Sequence, residues 1–150
     1  MTSNENPRIY LPPPLIFSGL VAFGLFVDSR AIALGPLPII GIISGATGVG
    51  LIAVALVLFR SSDTRPEPWQ PASALVSRGL YRITRNPMYL GMAMLSLGVA
   101  LLFSSFAGSA LAIIATVAID RTVILREEAY LMRRFGQEYV NYARGVRRWL

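Results

Sequence analysis

The stretch that decides the fold runs from Asn86 to Ile119 and reads NPMYLGMAMLSLGVALLFSSFAGSALAIIATVAI, 34 residues without a charged side chain. As one helix rising about 1.5 Å per residue it would be roughly 51 Å long, whereas the hydrocarbon core of a bilayer is about 30 Å thick. Even a strongly tilted helix of that length extends beyond the bilayer. The stretch is therefore predicted to fold back as a helical hairpin, with its turn among the small and polar residues 104–109.

Two further uncharged runs precede this stretch, from Ile9 to Val27 (19 residues) and from Ala31 to Phe59 (29 residues). About 20 helical residues cross a bilayer core, and 54% of the chain is apolar. We therefore predict an all-α integral membrane protein with four transmembrane helices, the third and fourth forming the hairpin. The predicted spans cover residues 13–33, 37–59, 87–105 and 108–125, with a loop over 60–86 and a tail over 126–150.

Two local patterns refine this prediction. Gly41, Gly45 and Gly48 recur at small-residue spacing in the second span, which predicts close packing of helix backbones. Apolar and aromatic residues in the tail fall three to four apart, which predicts an amphipathic helix that continues from the fourth span. The N-terminus contains Glu5 and no early cluster of basic residues, so we expect the first apolar run to be retained as a helix and not removed as a signal.

Arginine is distributed unevenly along the chain. Residues 60–85 contain five arginines and the tail from Arg126 contains six, whereas the loop between the first two spans has only Arg30 and the hairpin tip has none. The positive-inside rule therefore places both termini and the middle loop in the cytoplasm. We expect a bacterial inner membrane. The net charge of +6 is assigned to the membrane surface, and no nucleic-acid-binding motif accompanies it.

The amino acids that are missing restrict the chemistry. The chain has no cysteine and no histidine, so disulfides, thiol nucleophiles, histidine bases and Cys or His metal sites are excluded, and no metal is expected. All 14 basic residues are arginine, which excludes Schiff-base chemistry on lysine. Catalysis must therefore rely on carboxylates, guanidinium groups, tyrosines, amides or a cofactor.

Two motifs carry residues suited to chemistry. The first is GLYRITRNPMYLG at residues 79–91, and the second combines REE at 126–128 with FGQEYVNY at 135–142 and VRRWL at 146–150. They lie at the cytoplasmic ends of the third and fourth spans. Because a hairpin brings those two ends together, the motifs are expected to form one site.

Each motif also has a purely structural interpretation. The arginines of the first motif are typical of positive-inside anchoring at the start of a helix. Glu127 and Glu128 fit a solvated acidic pair beside arginines, although adjacent carboxylates at a membrane boundary are costly unless they bind a positive group. Asp120 and Arg121 lie deeper in the fourth span, and we interpret them as an internal salt bridge.

Taken together, the motifs resemble the isoprenylcysteine carboxyl methyltransferase and phospholipid methyltransferase superfamily, over roughly residues 60–150. The resemblance implies S-adenosylmethionine as cofactor. It implies that the cofactor is bound by Ser73, Ala74, Leu75, Val76, Tyr81, Arg85, Asn86, Pro87, Met88, Tyr89 and Glu127. The candidates it implies for catalysis are Glu128, Arg121 and Arg148. The family motif has histidine where this chain has Asn86, which retains hydrogen bonding but does not titrate.

The implied reaction is methyl transfer to an amphiphilic or lipidic acceptor at the cytoplasmic face of the membrane. An isoprenylcysteine-type carboxylate is the expected acceptor, and a phospholipid amine or a small thiol remain alternatives. An amine acceptor would also need to lose a proton, for which Glu128 is the nearby candidate. The rival functions are a nicotinamide-dependent membrane reductase, a non-catalytic membrane protein, and a small transporter. Transport is disfavoured because the centres of all four spans are uncharged.

Overall fold

The computed structural model describes residues 11–28, 35–64 and 70–150. These residues form an all-α fold. An isolated β-bridge joins Thr84 and Arg147. The helices are α1 (Pro13–Val27), α2 (Leu37–Arg60), α3 (Pro87–Leu102), α4 (Phe106–Ile119), α5 (Leu125–Phe135) and α6 (Gln137–Gly145). A short 3-10 turn covers Gly79–Arg82, and a wider π-helical turn at Asp120–Ile124 joins α4 to α5.

Proline sets the start of three helices. Pro13, Pro38 and Pro87 lie in the first turns of α1, α2 and α3, where a missing backbone donor costs nothing and the fixed φ favours a helix. The predicted first span extended to residue 33. α1 ends at Val27, and residues 29–34 lie outside the described residues.

Helices α2 and α3 pack with their backbones in contact. A Cβ added to Gly48 would lie 2.6 Å from the Gly91 carbonyl oxygen, and one added to Gly98 would lie 2.5 Å from the Gly45 nitrogen. The Ser44 hydroxyl donates to the Met94 carbonyl oxygen across the same interface at 2.8 Å. The small-residue spacing of the second span thus predicted this close packing correctly.

The connection between α3 and α4 is shorter than the predicted turn over 104–109. α3 ends at Leu102 and α4 begins at Phe106, because the Ser105 hydroxyl accepts a hydrogen bond from the Gly108 amide at 2.8 Å and caps the helix early. The Asp28 carboxylate extends this cap from α1, accepting from the Ser105 hydroxyl at 2.9 Å and the Ala107 amide at 2.7 Å.

Two helical segments are long and apolar enough to cross a membrane: Leu37–Arg60, of 24 residues, and the continuous run Phe106–Phe135, of 30 residues. α1 and α3 are shorter apolar helices. Large apolar side chains face outward from several helices, among them Phe26, Ile43, Phe106 and Val117. A soluble bundle would bury this surface.

The predicted helix that continues from the fourth span is present as α5, but it does not extend through the whole tail. Gly136 has φ +56° and ends α5, and α6 then begins at Gln137. Glycine tolerates this backbone conformation, which other residues rarely adopt. After Gly145 the chain becomes extended, with Val146 at φ −128° and ψ 132°. The tail therefore consists of two short helices and a final extended segment.

Candidate functional site

One cavity lies where α3 begins and where the π-helical turn meets α5. Its empty volume, including the part open to solvent, is about 840 Å³. The two sequence motifs meet there. The predicted site residues that line the cavity are Ala74, Leu75, Val76, Tyr81, Arg85, Asn86, Met88, Tyr89, Glu127 and Glu128.

Tyr89 and Glu127 connect α3 to α5 at the cavity wall. Pro87 starts α3, so Tyr89 falls in the first turn and its side chain is directed toward α5. The Tyr89 hydroxyl, on a residue only 7% exposed, donates to Glu127 Oε2 at 2.9 Å. Among the described residues no arginine forms a salt bridge with Glu127. Burial raises the pKa of Glu127 to about 7, and the neighbouring Glu128 adds to the shift, while the hydrogen bond from Tyr89 opposes it. Above that pKa, Glu127 presents to the cavity a negative charge that the Tyr89 phenol stabilises and that no described arginine balances.

Glu128 has the opposite environment. Arg148 binds it in a bidentate fork, with Nη2 at 2.6 Å from Oε2 and Nε at 3.0 Å from Oε1. Arg85 Nη1 lies 3.1 Å from the same Oε1, and the Glu128 side chain is only 16% exposed. Two guanidinium groups therefore grip the Glu128 carboxylate, one of them in a bidentate fork. The hydrogen bonds that Arg148 donates to Glu128 raise the pKa of Arg148. Asp120 also forms a salt bridge with Arg148.

Arg85 retains an unused donor. Its Nη1 reaches Glu128, and also contacts the Tyr139 hydroxyl at 3.4 Å. Its Nε is buried and has no hydrogen-bond partner among the described residues. A buried N–H without an acceptor costs about 1–3 kcal/mol. Arg85 also lines the cavity, so its guanidinium links the cavity wall to Glu128.

Tyrosine rings form much of the remaining wall. Tyr81 lies in the 3-10 turn, where the Tyr142 hydroxyl donates to its carbonyl oxygen at 2.7 Å and the Phe59 ring packs edge-on at 5.6 Å. Burial raises the pKa of the Tyr81 phenol, and the Glu127 charge adds to the shift. Burial likewise raises the pKa of Tyr142. Both phenols therefore stay neutral and present polar, electron-rich rings to the cavity.

Ser73 and Pro87, which were both predicted to bind the cofactor, do not line the cavity. The Ser73 hydroxyl donates to the Asp63 carbonyl oxygen at 2.6 Å, and the Ser73 amide donates to the Thr64 hydroxyl at 3.1 Å. These bonds fix the loop from which Ala74, Leu75 and Val76 enter the cavity. Pro87 is buried in the first turn of α3 and does not line the cavity.

Arg121 and Arg148, both predicted to be catalytic, also lie outside the cavity lining. The Arg121 side chain is 74% exposed and its Nε lies 3.4 Å from Asp120 Oδ2, which confirms the predicted salt bridge. Arg148 reaches the site through Glu128. The structure therefore places Arg148 behind the cavity wall and Arg121 on the surface.

The last five residues, Val146–Leu150, form an extended segment that we call the strap. The Arg85 amide donates to the Arg147 carbonyl oxygen at 2.9 Å. The Arg148 carbonyl oxygen accepts from the Thr84 hydroxyl and from Asn86 Nδ2, each at 3.0 Å. Trp149 Nε1 donates to Asp120 Oδ1 at 3.0 Å. Asn86, which replaces the family histidine, therefore binds the strap while it lines the cavity.

Seven cavity residues were not among the predicted site residues: Phe59, Gln70, Ala72, Tyr130, Leu131, Tyr139 and Tyr142. Tyr139 and Tyr142 had a signal, since they are three apart in the second motif and therefore share one helix face. The Tyr130 hydroxyl accepts from the Ala72 amide at 3.0 Å, and this loop contact has no sequence signature. Phe59 reaches the site from the last turn of α2, and Gln70 reaches it from the loop that precedes α3.

Comparison with known proteins gives a family assignment. The model of a family described as phospholipid methyltransferase matches residues 39–138, which is more than half of the 150 residues. A protein-S-isoprenylcysteine O-methyltransferase of Schizosaccharomyces pombe is 33% identical over 72 residues, covering 48% of this chain and 30% of that protein. An uncharacterized protein of Haemophilus influenzae is 39% identical over 67 residues, covering 42% of this chain and all of that protein. No solved structure matches.

Proposed function

Because the chain belongs to the phospholipid methyltransferase family, we propose that it transfers a methyl group from S-adenosylmethionine to an amphiphilic acceptor at the cytoplasmic face of a membrane. The family and the apolar helices support a membrane-associated methyltransferase. The cofactor, the acceptor and the orientation of the chain are the parts of this proposal that require experiment. The cavity supports the choice of cofactor and acceptor, and the arginine distribution supports the orientation.

The observation that carries the proposal is the meeting in one cavity of the Glu127 carboxylate, which has no described cation as partner, and Arg85, whose Nε has no described acceptor. S-adenosylmethionine has a positive sulfonium and a zwitterionic amino-acid end. Glu127 and the rings of Tyr81 and Tyr89 suit the positive groups. The free Arg85 donor suits the carboxylate. The cavity thus contains complementary charge for both ends of the amino-acid part.

Bound there, S-adenosylmethionine would supply an electrophilic methyl group. The protein residues would orient it and exclude water, since transfer of a methyl group from a sulfonium to an anion removes charge and is favoured by a partly dehydrated site. Burial of the Tyr81 and Tyr89 side chains is consistent with such a site. No metal or titrating histidine is required for this step.

The position of Glu128 favours a carboxylate acceptor over an amine. An ammonium must lose a proton before it can attack, and Glu128 was the nearby candidate for the base. Its oxygens are occupied by Arg148 and Arg85, so it is poorly placed to accept a proton. A carboxylate acceptor, such as that of an isoprenylcysteine, is already anionic. We propose this acceptor class, with phospholipid amines, whose proton the Glu127 carboxylate would accept, as the alternative.

We further propose that all four apolar helices α1 to α4 cross the membrane, with α3 and α4 as a hairpin. The arginine-rich residues 60–85 and the tail would then lie in the cytoplasm, with both termini on that side. This arrangement places the cavity at the cytoplasmic surface, because the cavity lies at the start of α3 and beyond the end of α4. A bacterial inner membrane is the proposed location.

The proposal predicts that the detergent-purified protein binds S-adenosylmethionine and S-adenosylhomocysteine. Glu127→Gln should weaken binding of the cationic S-adenosylmethionine at least about tenfold, equivalent to about 1.4 kcal/mol, because it removes the unbalanced charge. Tyr89→Phe should weaken binding less, since the ring remains. Isothermal titration calorimetry measures both effects. Glu138→Gln, an exposed acid of α6 outside the cavity, is the matched control.

A folded wild-type protein that binds neither ligand would rule out the methyltransferase proposal. Equal affinities for wild type and Glu127→Gln would remove the role given to Glu127. The acceptor is then tested with radiolabelled methyl transfer to a farnesylated cysteine derivative and to phosphatidylethanolamine. Transfer to the lipid amine alone would show that the acceptor assignment is wrong while the reaction class stands.

A further inference from the structure

The backbone of the strap is hydrogen-bonded to Thr84, Arg85 and Asn86 of the first motif. Its side chains are hydrogen-bonded to Glu128 and Asp120. The carbonyl oxygen of Arg148 is held by Thr84 and Asn86, and its guanidinium forms the fork on Glu128. Trp149 packs on the apolar cluster that contains Ile119 and donates to Asp120. The strap therefore fixes one guanidinium group directly behind a carboxylate of the cavity wall.

This arrangement makes adjacent glutamates electrostatically different. Both line the cavity, and both would otherwise present a negative charge to a ligand. Two arginines balance Glu128, whereas the described residues provide Glu127 with a neutral phenol only. Arg85 contributes one of these cations from the first motif. Arg148 contributes the other, and it can do so only while the strap is in place.

We propose that the strap is a charge-balancing element of the cofactor site, in which Asn86 and Thr84 act as positioning residues that hold Arg148 against Glu128, so that only Glu127 faces the cofactor as an unbalanced carboxylate. This inference rests on the proposed function and adds a specific determinant to it. The strap then sets how strongly the site prefers the cationic cofactor over its neutral product. The ratio of the two affinities measures that preference.

The sign of the effect follows from charge counting. S-adenosylmethionine differs from S-adenosylhomocysteine by the methyl group and the positive charge on sulfur. When the Arg148 charge is removed, Glu128 is balanced by Arg85 alone and the wall becomes more negative. Attraction for the sulfonium rises, while the neutral sulfur gains nothing. The strap therefore restrains the preference of the site for the cationic cofactor and leaves the affinity for the neutral product unchanged.

The test is the ratio of the dissociation constant of S-adenosylhomocysteine to that of S-adenosylmethionine, measured by calorimetry at pH 8. Arg148→Gln should raise this ratio about fivefold, as expected for one charge acting through a partly screened medium. Arg144→Gln removes the same charge from an exposed position on α6 and should leave the ratio within about twofold of wild type.

A second variant tests the positioning role. Thr84→Val combined with Asn86→Ala removes both side-chain donors to the Arg148 carbonyl oxygen. If these residues act through Arg148, the ratio should rise in the same direction, and adding Arg148→Gln should raise it no further. Residues that only support the fold would weaken both ligands equally and leave the ratio unchanged, which would overturn the positioning role.

The two levels of failure are distinguishable. A folded wild type that binds neither ligand would overturn the proposed function and this inference with it. A wild type that binds both, with the same ratio in Arg148→Gln and Arg144→Gln, would overturn the inference alone. Thermal unfolding of each variant in detergent identifies any loss of ligand binding that arises from unfolding.

Discussion

At the residue scale, the site depends on how neighbouring groups of the same type are given different surroundings. Glu127 and Glu128 are adjacent in the chain, yet one accepts a hydrogen bond from Tyr89 and the other is held by two arginines. The helix separates them by about 100° around its axis, so they meet different elements. Identical side chains can therefore take a ligand-binding role and a structural role.

This difference predicts that the two glutamates contribute unequally to the stability of the fold. Glu128→Gln should lower the free energy of unfolding by about 2 kcal/mol, because it leaves the largely buried Arg85 guanidinium without its anion and Arg148 with Asp120 alone. Glu127→Gln should change it by less than about 0.5 kcal/mol, since an amide oxygen still accepts from Tyr89. Denaturant unfolding in detergent micelles compares the two variants. Equal losses would show that Glu127 carries more of the fold than its contacts indicate.

The same residues show how far the sequence determines the site. The resemblance implied Tyr81, Tyr89, Glu127 and seven of the other fourteen residues that line the cavity. The predicted helical hairpin accounts for the meeting of the two motifs, because it brings the ends of its helices together. The position of Arg148 relative to Glu128 was not predictable. It depends on an extended strap whose bonds are made by backbone carbonyl groups, which every residue has. The hydrogen bonds that Ser73 makes in the loop before α3 likewise have no pattern in the sequence.

At the element scale, glycines on the facing sides of α2 and α3 determine how closely these two helices pack. Gly48 and Gly91 allow α2 and α3 to touch, as do Gly41 and Gly98. Close approach of this kind favours association of helices through van der Waals contact, which is the force available where lipid replaces water. The cavity benefits directly, since α2 provides Phe59 and α3 provides Tyr89 to its walls.

The contact predicts a clear difference between two glycines of α2. Gly48→Ala places a methyl group 2.6 Å from the Gly91 carbonyl oxygen and should destabilise the protein by about 1–3 kcal/mol through forced separation of the helices. Gly50→Ala meets nothing within 4 Å and should be neutral or slightly stabilising, because alanine favours a helix. Thermal unfolding monitored by circular dichroism measures both. Similar melting temperatures would contradict the contact.

Element boundaries show where sequence patterns stop being informative. Apolar runs and prolines predicted the helices and most of their starts, because burial in lipid and the lack of a proline donor are properties of the residues themselves. The break at Gly136 and the π-helical turn at Asp120–Ile124 were not predicted. Both are small changes of backbone conformation within a continuous amphipathic pattern. They nonetheless determine which side chains of α5 and α6 reach the cavity.

At the scale of the whole molecule, polar and charged contacts cluster at the two ends of the bundle and apolar contacts lie between them. One end has the cavity, the strap and most of the arginines. The other end is closed by Asp28, which caps α4 together with Ser105. This distribution is the one expected when the middle of the protein lies in hydrocarbon.

The proposed orientation can be tested because the chain contains no cysteine. Single cysteines placed at Phe106, at the turn between α3 and α4, and at Ser77, in the loop before α3, are both at exposed positions. In intact cells a membrane-impermeant maleimide should label Phe106→Cys and leave Ser77→Cys unlabelled until the cells are lysed. Labelling of Ser77→Cys in intact cells would reverse the orientation and place the cavity outside.

The strap has a consequence for proteolysis. A protease that removes residues 146–150 would leave the Thr84 hydroxyl and Asn86 Nδ2 without the Arg148 carbonyl oxygen and Glu128 without the Arg148 fork. Arg148 does not line the cavity. Trimming would therefore change the charge of the cavity wall without removing any residue that lines it.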